Sequence, residues 1–351
     1  MSDTFTDPRP PRVDRRTATF LSSCVLVLLV CLIGATVPTP WVAIGPGPAP
    51  NVLGESEGKP VITTNLPTYP TSGHLNMTTV QISDGLTLFR ALQLWADPER
   101  QVVPRASLFP PDETQEQINR KNDQDFTDSQ SNAAAAALTY LKMPTRVFVG
   151  PQPAGLPPNG VLETGDQILA VGGQPVDSVE GVRAALAGTT PGQQVPVRIL
   201  RGDAIPTDVT VTLTQLGDSP QGALGIGPVA KPETDDEITI SLSGIGGPSA
   251  GLMFALAVVD KLTPGELTGG HNIAGTGEIT SEGTVGPIGG IGLKLIGAQR
   301  AGATVFLVPG QNCEEARADA PAGLQLVRVD TLTDAVQDLD MLRAGQTPST
   351  C

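Results

Sequence analysis

The rhythm of hydrophobic and polar positions changes several times along this chain. Residues 20–37 (FLSSCVLVLLVCLIGATV) form an unbroken run without a charge, within the roughly 17–25 residues of a membrane-spanning helix. Residues 61–82 carry short β-prone runs. Residues 84–95 cluster Leu86, Leu88, Phe89, Leu92 and Leu94, which predicts a helix with Asp84 as candidate cap. Residues 115–128 are polar and charged, and 132–141 are alanine-rich and predict a helix.

Past residue 143 the pattern shortens. Residues 145–149 predict a strand, and 159–176 predict two short strands around glycine turns. Residues 179–187 predict a helix capped by Ser178, and 195–201 with 207–213 alternate as a hairpin around Gly202-Asp203. Further on, residues 237–242 predict a strand, 249–261 an apolar helix, 294–300 a second helix and 305–309 a strand of the buried type. Strands alternating with helices predict a layered α/β or α+β arrangement.

Length and charge narrow the classes. The 351 residues are enough for two or three domains. A nucleic-acid partner would need a basic face, and the formal net charge of −14 argues against one. Of the four cysteines, Cys24 and Cys31 lie in the apolar run, and no close pair suggests zinc. Neither a metal nor a cofactor is expected. Cys313 and Cys351 could form a disulfide in an oxidising compartment or remain as thiols. Arg9, Arg12, Arg15 and Arg16 precede the apolar run, which places the N-terminus in the cytoplasm and the chain after residue 40 outside. Pro38 and Pro40 stand where a cleavage site would be, and Trp41 suits a membrane interface, so an uncleaved signal anchor is expected.

Candidate chemistry centres on Gly246-Gly247-Pro248-Ser249-Ala250-Gly251, a glycine-rich turn running into an apolar helix. Backbone N–H groups at such a helix start are unpaired and could stabilise an oxyanion. A serine usually caps there; as a nucleophile it needs an adjacent base. Lys294, in a glycine-rich apolar stretch, can serve if its pKa falls from about 10.4, and burial lowers it. No carboxylate adjoins it in sequence. His271 could act as a base but lacks a recognisable serine motif, and His74 reads as a loop residue. Glu278 and Glu282 read as solvated surface charges.

Two resemblances organise these readings. The run Gly165-Asp166-Gln167-Ile168-Leu169-Ala170-Val171-Gly172-Gly173-Gln174-Pro175-Val176, the helix after it and the closing strand pair resemble a bacterial PDZ domain, without the usual carboxylate-binding loop near its start. PDZ domains bind extended peptide ends by strand addition. The motifs P-S-A-G at Ser249, T-G-E-I-T at Thr276, and P-I-G-G followed by Lys294 resemble, in order and spacing, the proteolytic domain of Lon proteases. The whole chain resembles the membrane-anchored, ATP-independent PDZ–Lon-like serine proteases of bacteria. The resemblance implies Ser249 as nucleophile, Lys294 as general base and later acid, and Thr276 as hydrogen-bond partner of the lysine. Gly247 and Ala250 would support an oxyanion hole, and assembly into a homo-oligomeric ring is implied as well. Many Lon domains carry an acidic residue where Gly246 stands. No G-x-x-x-x-G-K-[ST] loop occurs, so no built-in ATPase is expected.

The expected architecture is therefore an α+β multidomain chain. It has a basic cytoplasmic tail (1–19), a transmembrane signal anchor (20–40), a small α/β lead-in domain (41–142), a PDZ-like β-rich domain (143–217) and a Lon-type α/β proteolytic domain (221–345). The expected function is an extracytoplasmic serine endopeptidase acting on unfolded or exported polypeptides. A non-catalytic PDZ scaffold with a Lon-like oligomerisation domain is the competing expectation.

Overall fold

The computed structural model describes residues 15–110, 113–150, 160–202, 204–216, 219–232, 237–242 and 244–351. The basic tail through residue 14, the loop 151–159 and Asp203 lie outside them. The chain divides into two compact units, residues 1–45 with 82–111, and 46–81 with 112–351.

In the first unit, α1 (Arg15–Thr36) holds the apolar run and is the one helix among the described residues long and apolar enough to cross a membrane. Trp41–Pro46 pairs antiparallel with Gln101–Pro104. A small core of Ala43, Leu86, Ala91 and Leu94 sits between this ladder and α2 (Leu88–Trp95). The expected Asp84 cap is not one: Thr87 is the N-cap, without a side-chain bond. Asp84 instead accepts from the Gly85 N–H and from the Arg105 guanidinium.

The second unit is built on a four-stranded parallel sheet, in the order Gln325–Val329, Val305–Pro309, Asn272–Gly275 and His74–Met77. Val305–Pro309 is buried throughout, as an apolar run covered on both faces must be. Successive side chains point to opposite faces. Val305 and Leu307 join the larger core, while Phe306 and Val308 join a smaller one with Ile291, Leu295 and Ala298.

Two of the expected segments merge here. Residues 115–128 and 132–141 form one helix, α3 (Gln115–Tyr140), started by a capping box between Thr114 and Gln117. Ala133, Ala136 and Ala137 are buried in the larger core, where small side chains allow a close helix approach. The strand His74–Met77 and α3 thus belong to the unit holding the Lon-like segment, while residues 82–111 belong to the other. The lead-in segment 41–142 is therefore divided: its apolar faces complete two different cores.

The PDZ-like part has an antiparallel sheet in the order Thr207–Thr212, Gln194–Leu200, Gln167–Val171, Thr145–Val149 and Pro228–Pro232. The last strand comes from beyond residue 217. α4 (Val179–Ala185) starts as expected, with the Ser178 side chain accepting from the Gly181 N–H. Buried Asp166 accepts two hydrogen bonds from Arg201, both at 2.7 Å, and this guanidinium holds its carboxyl below the usual range.

Around the parallel sheet lie α5 (Gly251–Leu262), α6 (Ile291–Arg300), α7 (Cys313–Ala318) and α8 (Leu332–Arg343). α5 is buried from Gly251 to Asp260, as suits a helix apolar on every side. Its Phe254 meets Phe126 of α3 edge to face, with ring centroids 5.8 Å apart. Cys313 and Cys351 form a disulfide closing a 38-residue separation.

Candidate active site

Ser249 lies in the turn before α5, and Ala250 is the N-cap of that helix, with no side-chain cap bond. The capping role usual for a serine in this setting is therefore not the one Ser249 takes. Its carbonyl oxygen turns away from the helix and accepts from the Gly277 N–H at 2.9 Å and from the Thr276 hydroxyl at 3.0 Å. The Leu252 N–H donates to the Gly277 carbonyl oxygen at 3.1 Å. These bonds lock the serine turn to the hairpin Glu278–Ile279 with Val285–Gly286.

The turn is clamped from behind by α3. The Gly247 N–H donates to the Asn122 carbonyl oxygen at 3.0 Å, and Ser129 Oγ donates to the Pro248 carbonyl oxygen at 3.0 Å. Gly247 has φ +85°, a left-handed conformation that favours glycine. Its N–H is occupied, so its contribution is to the shape of the turn. The Ser249 and Ala250 N–H groups have no backbone acceptor among the described residues and are the available oxyanion donors. Gly251 is glycine for space: a Cβ would lie 2.7 Å from Ile279 Cγ2 and 3.0 Å from Ser129 Oγ.

Lys294 reaches the turn from α6. That helix begins at Ile291, three residues before the expected start, behind Gly290 at φ +70°. The Pro287-Ile288-Gly289-Gly290 turn is pinned by Asn312, whose side chain accepts from the Ile288 N–H at 2.9 Å and donates to the Ile288 carbonyl at 3.0 Å. Lys294 is only 2% exposed. Its Nζ lies 2.8 Å from Ser249 Oγ and donates to Thr276 Oγ1, also at 2.8 Å. Burial lowers its pKa to about 7, against a smaller upward push from Glu278.

The three side chains form a directed chain. The Thr276 proton is given to the Ser249 carbonyl, so the threonine oxygen is left to accept from Lys294. A neutral lysine amine with one N–H given to Thr276 can aim its lone pair at the Ser249 hydroxyl proton. That arrangement can take a proton from the serine as it attacks a carbonyl, and return it to a leaving amine.

Other sequence expectations resolve differently. His271 is exposed in the turn after Gly270, and its N–H is used by the Thr268 carbonyl. His74 begins the edge strand and is exposed. Glu278 is exposed but is not a bystander: burial first, and Asp125 second, raise its carboxyl pKa, while Lys294 lowers it. The sequence neighbours of Lys294 gave no hint of this carboxylate, because the hairpin supplies it. Glu282 accepts from Arg183 of α4 at 2.7 Å, joining the PDZ-like helix to the turn after Thr280. Asn122, Ser129 and Asn312 were not anticipated. Asn122 acts through its backbone carbonyl and Ser129 lies in a polar stretch, so neither carried a local signal, whereas Asn312 is a polar residue just past the buried strand Val305–Pro309.

Beside α4 runs an open groove of about 280 Å³, lined by Val182, Leu186, Leu216, Leu224 and Ile226, with Arg183 at its edge. One wall is the segment after the hairpin, where residues 222–226 read Gly-Ala-Leu-Gly-Ile.

Comparison with known proteins places both parts. Residues 244–340 match the Lon protease (S16) C-terminal proteolytic domain, and residues 152–213 match the PDZ domain. A Lon protease of Campylobacter concisus is 41% identical over 96 residues, covering 26% of this chain and 12% of that protein. A Lon protease of Clostridium beijerinckii is 32% identical over 181 residues, covering 46% of this chain and 22% of that protein. The chain thus spans at most about a fifth of the length of these relatives. Among solved structures, the PDZ domain of an SdrC-like protein from Listeria monocytogenes is 23% identical, covers 24% of this chain and 86% of that one, and has a TM-score of 0.22. Through residues 244–340, behind a PDZ domain, the chain carries a proteolytic domain of the Lon serine-protease family.

Proposed function

We propose that this chain is a membrane-anchored, ATP-independent serine endopeptidase that cleaves unfolded or exported polypeptides outside the cytoplasm. Ser249 is the nucleophile, Lys294 the general base and acid, and Thr276 the group that orients the lysine. The observation that carries the reading is the buried Lys294 amine, 2.8 Å from both hydroxyls, with a pKa brought down to about 7.

The reaction follows from that geometry. The amine takes the Ser249 proton as Oγ bonds to the peptide carbonyl carbon. The oxyanion is met by the Ser249 and Ala250 N–H groups. The lysine then gives its proton to the leaving nitrogen, the C–N bond breaks, and an acyl-enzyme remains. Water, deprotonated by the same amine, hydrolyses the ester and frees Ser249. Loss of either dyad member removes the proton path and should cost several orders of magnitude in rate.

Topology rests on separate support. α1 at 22 residues spans about 33 Å at 1.5 Å per residue, close to the roughly 30 Å hydrocarbon core. Arginines precede it, and the Cys313–Cys351 disulfide suits an oxidising compartment. ATP independence rests on the lack of a phosphate-binding loop in this sequence. The groove along α4 is the proposed seat for a peptide segment, next to the Arg183–Glu282 bond that leads to the catalytic hairpin. Assembly as a homo-oligomeric ring belongs to the same reading by family likeness. The test is digestion of an unstructured polypeptide without nucleotide. The parent chain is expected to cleave it, and Ser249→Ala and Lys294→Ala are expected to be inactive while folded. Cleavage by either variant at the parent rate would overturn the Ser249–Lys294 mechanism, and no cleavage by the parent chain would leave it as a binding scaffold.

A further inference from the structure

α2 is amphipathic in an unusual direction. Ala91 and Leu94 face the small core, but Leu88, Phe89 and Leu92 are 45%, 47% and 53% exposed, and Trp95 is 73% exposed. Spacing of one, three and three residues puts all four on one side of the helix. Trp41 and Ile82, in the same unit, are also exposed, at 42% and 45%. A water-facing helix does not normally carry two large aromatics and two leucines on its solvent side.

The neighbour of this face identifies its occupant. α1 and α2 pack together, and the contact falls at Gly34, the buried residue of α1, where a Cβ would lie 3.0 Å from the Phe89 ring. Gly34 is near the outer end of the 22-residue apolar helix. A helix tied there lies at the level where hydrocarbon gives way to headgroups. Tryptophan favours that level, since its ring is apolar and its N–H needs a polar partner. Arg90 and Gln93, bonded to each other at 2.8 Å, supply a polar flank for the same helix.

We propose that α2 is an interfacial membrane helix, with Leu88, Phe89, Leu92 and Trp95 seated in the lipid surface beside the outer end of α1. The face would set the unit flat against the bilayer. This rests on the reading of α1 as a membrane anchor.

The chain's two tryptophans make the test direct. The full-length Trp41→Phe variant, reconstituted in bilayers, reports Trp95 alone. Lipids brominated at shallow acyl positions are expected to quench its emission more than lipids brominated near the bilayer centre. Aqueous iodide is expected to have little effect, and replacing Leu92 by Glu to restore iodide access. A chain that resists carbonate extraction while Trp95 is quenched by iodide and not by lipid would overturn the interfacial role and leave the anchor standing. Release by carbonate would overturn both. Protection from iodide that needs a high protein-to-lipid ratio and shows no lipid quenching would assign the face to a second copy, and would also overturn the proposal.

Discussion

Ser129 Oγ donates to the Pro248 carbonyl oxygen at 3.0 Å across 119 residues of sequence. The bond ties the middle of α3 to the residue immediately before the proposed nucleophile. Removing it should leave a part-buried carbonyl without its partner, at a cost of about 1 kcal/mol. Ser129→Ala is expected to lower kcat more than it raises KM, because the bond holds the turn that carries Ser249. Steady-state kinetics beside a thermal melt checks this, and an unchanged kcat would deny α3 its positioning role.

Gly251→Ala tests the same joint by crowding. Its new Cβ meets Ile279 Cγ2 at 2.7 Å and Ser129 Oγ at 3.0 Å. The expected loss is about 1–3 kcal/mol of stability, as for overpacked cores, together with activity. Denaturant unfolding of the two chains gives the number.

Lys294 couples rate to stability in opposite senses. With its pKa lowered from 10.5 to about 7, the unfolded chain binds one more proton than the folded chain between those values. Stability therefore rises with pH across that window, and the penalty is complete below about pH 7. At about 1.4 kcal/mol per pKa unit the penalty is of the order of 5 kcal/mol. Lys294→Met is expected to abolish activity and to raise Tm at neutral pH, and that rise is expected to shrink as the pH approaches 10. An unchanged or lower Tm at neutral pH would mean the amine is not held against its charge.

Glu278 pushes the Lys294 pKa up, against the larger downward effect of burial. Neutralising it in Glu278→Gln should let the amine lose its proton more readily. The acid limb of kcat/KM is expected to shift to lower pH, with the plateau height changed less. A limb that stays in place would leave Glu278 with no electrostatic influence on the site.

The Cys313–Cys351 bridge closes 38 residues of chain. The chain-entropy relation gives about 4 kcal/mol for such a loop. Cys313→Ser with Cys351→Ser is expected to lower Tm, and both thiols of the parent are expected to resist alkylation until reduced. Mass measurement after alkylation settles the pairing.

Much of the architecture and the candidate chemistry was legible in the sequence for physical reasons. The helix after Ser249 and the helix carrying Lys294 follow glycine turns into apolar runs, and buried strands such as Val305–Pro309 show no polar interruption. What the sequence hid was assembly across long separations. His74 reads as a loop residue, yet His74–Met77 is the edge strand of the sheet that carries Asn272–Gly275. α3 reads as polar and then alanine-rich, with no hint that its Asn122 carbonyl and Ser129 hydroxyl hold the Ser249 turn. Neighbours in sequence made Lys294 look free of carboxylates, whereas the hairpin brings Glu278 within electrostatic range. The cap at Asp84 failed because Arg105 and the Gly85 N–H claimed its carboxylate.

The pH profile of covalent labelling at Ser249 by a serine-reactive fluorophosphonate tests the central claim most directly. Labelling in the parent chain is expected to rise through a single titration near pH 7 and then level, and to vanish in Lys294→Met while that variant stays folded. Labelling that persists in Lys294→Met, or that runs flat from pH 5 to pH 9, would contradict a neutral Lys294 amine as the base that activates Ser249.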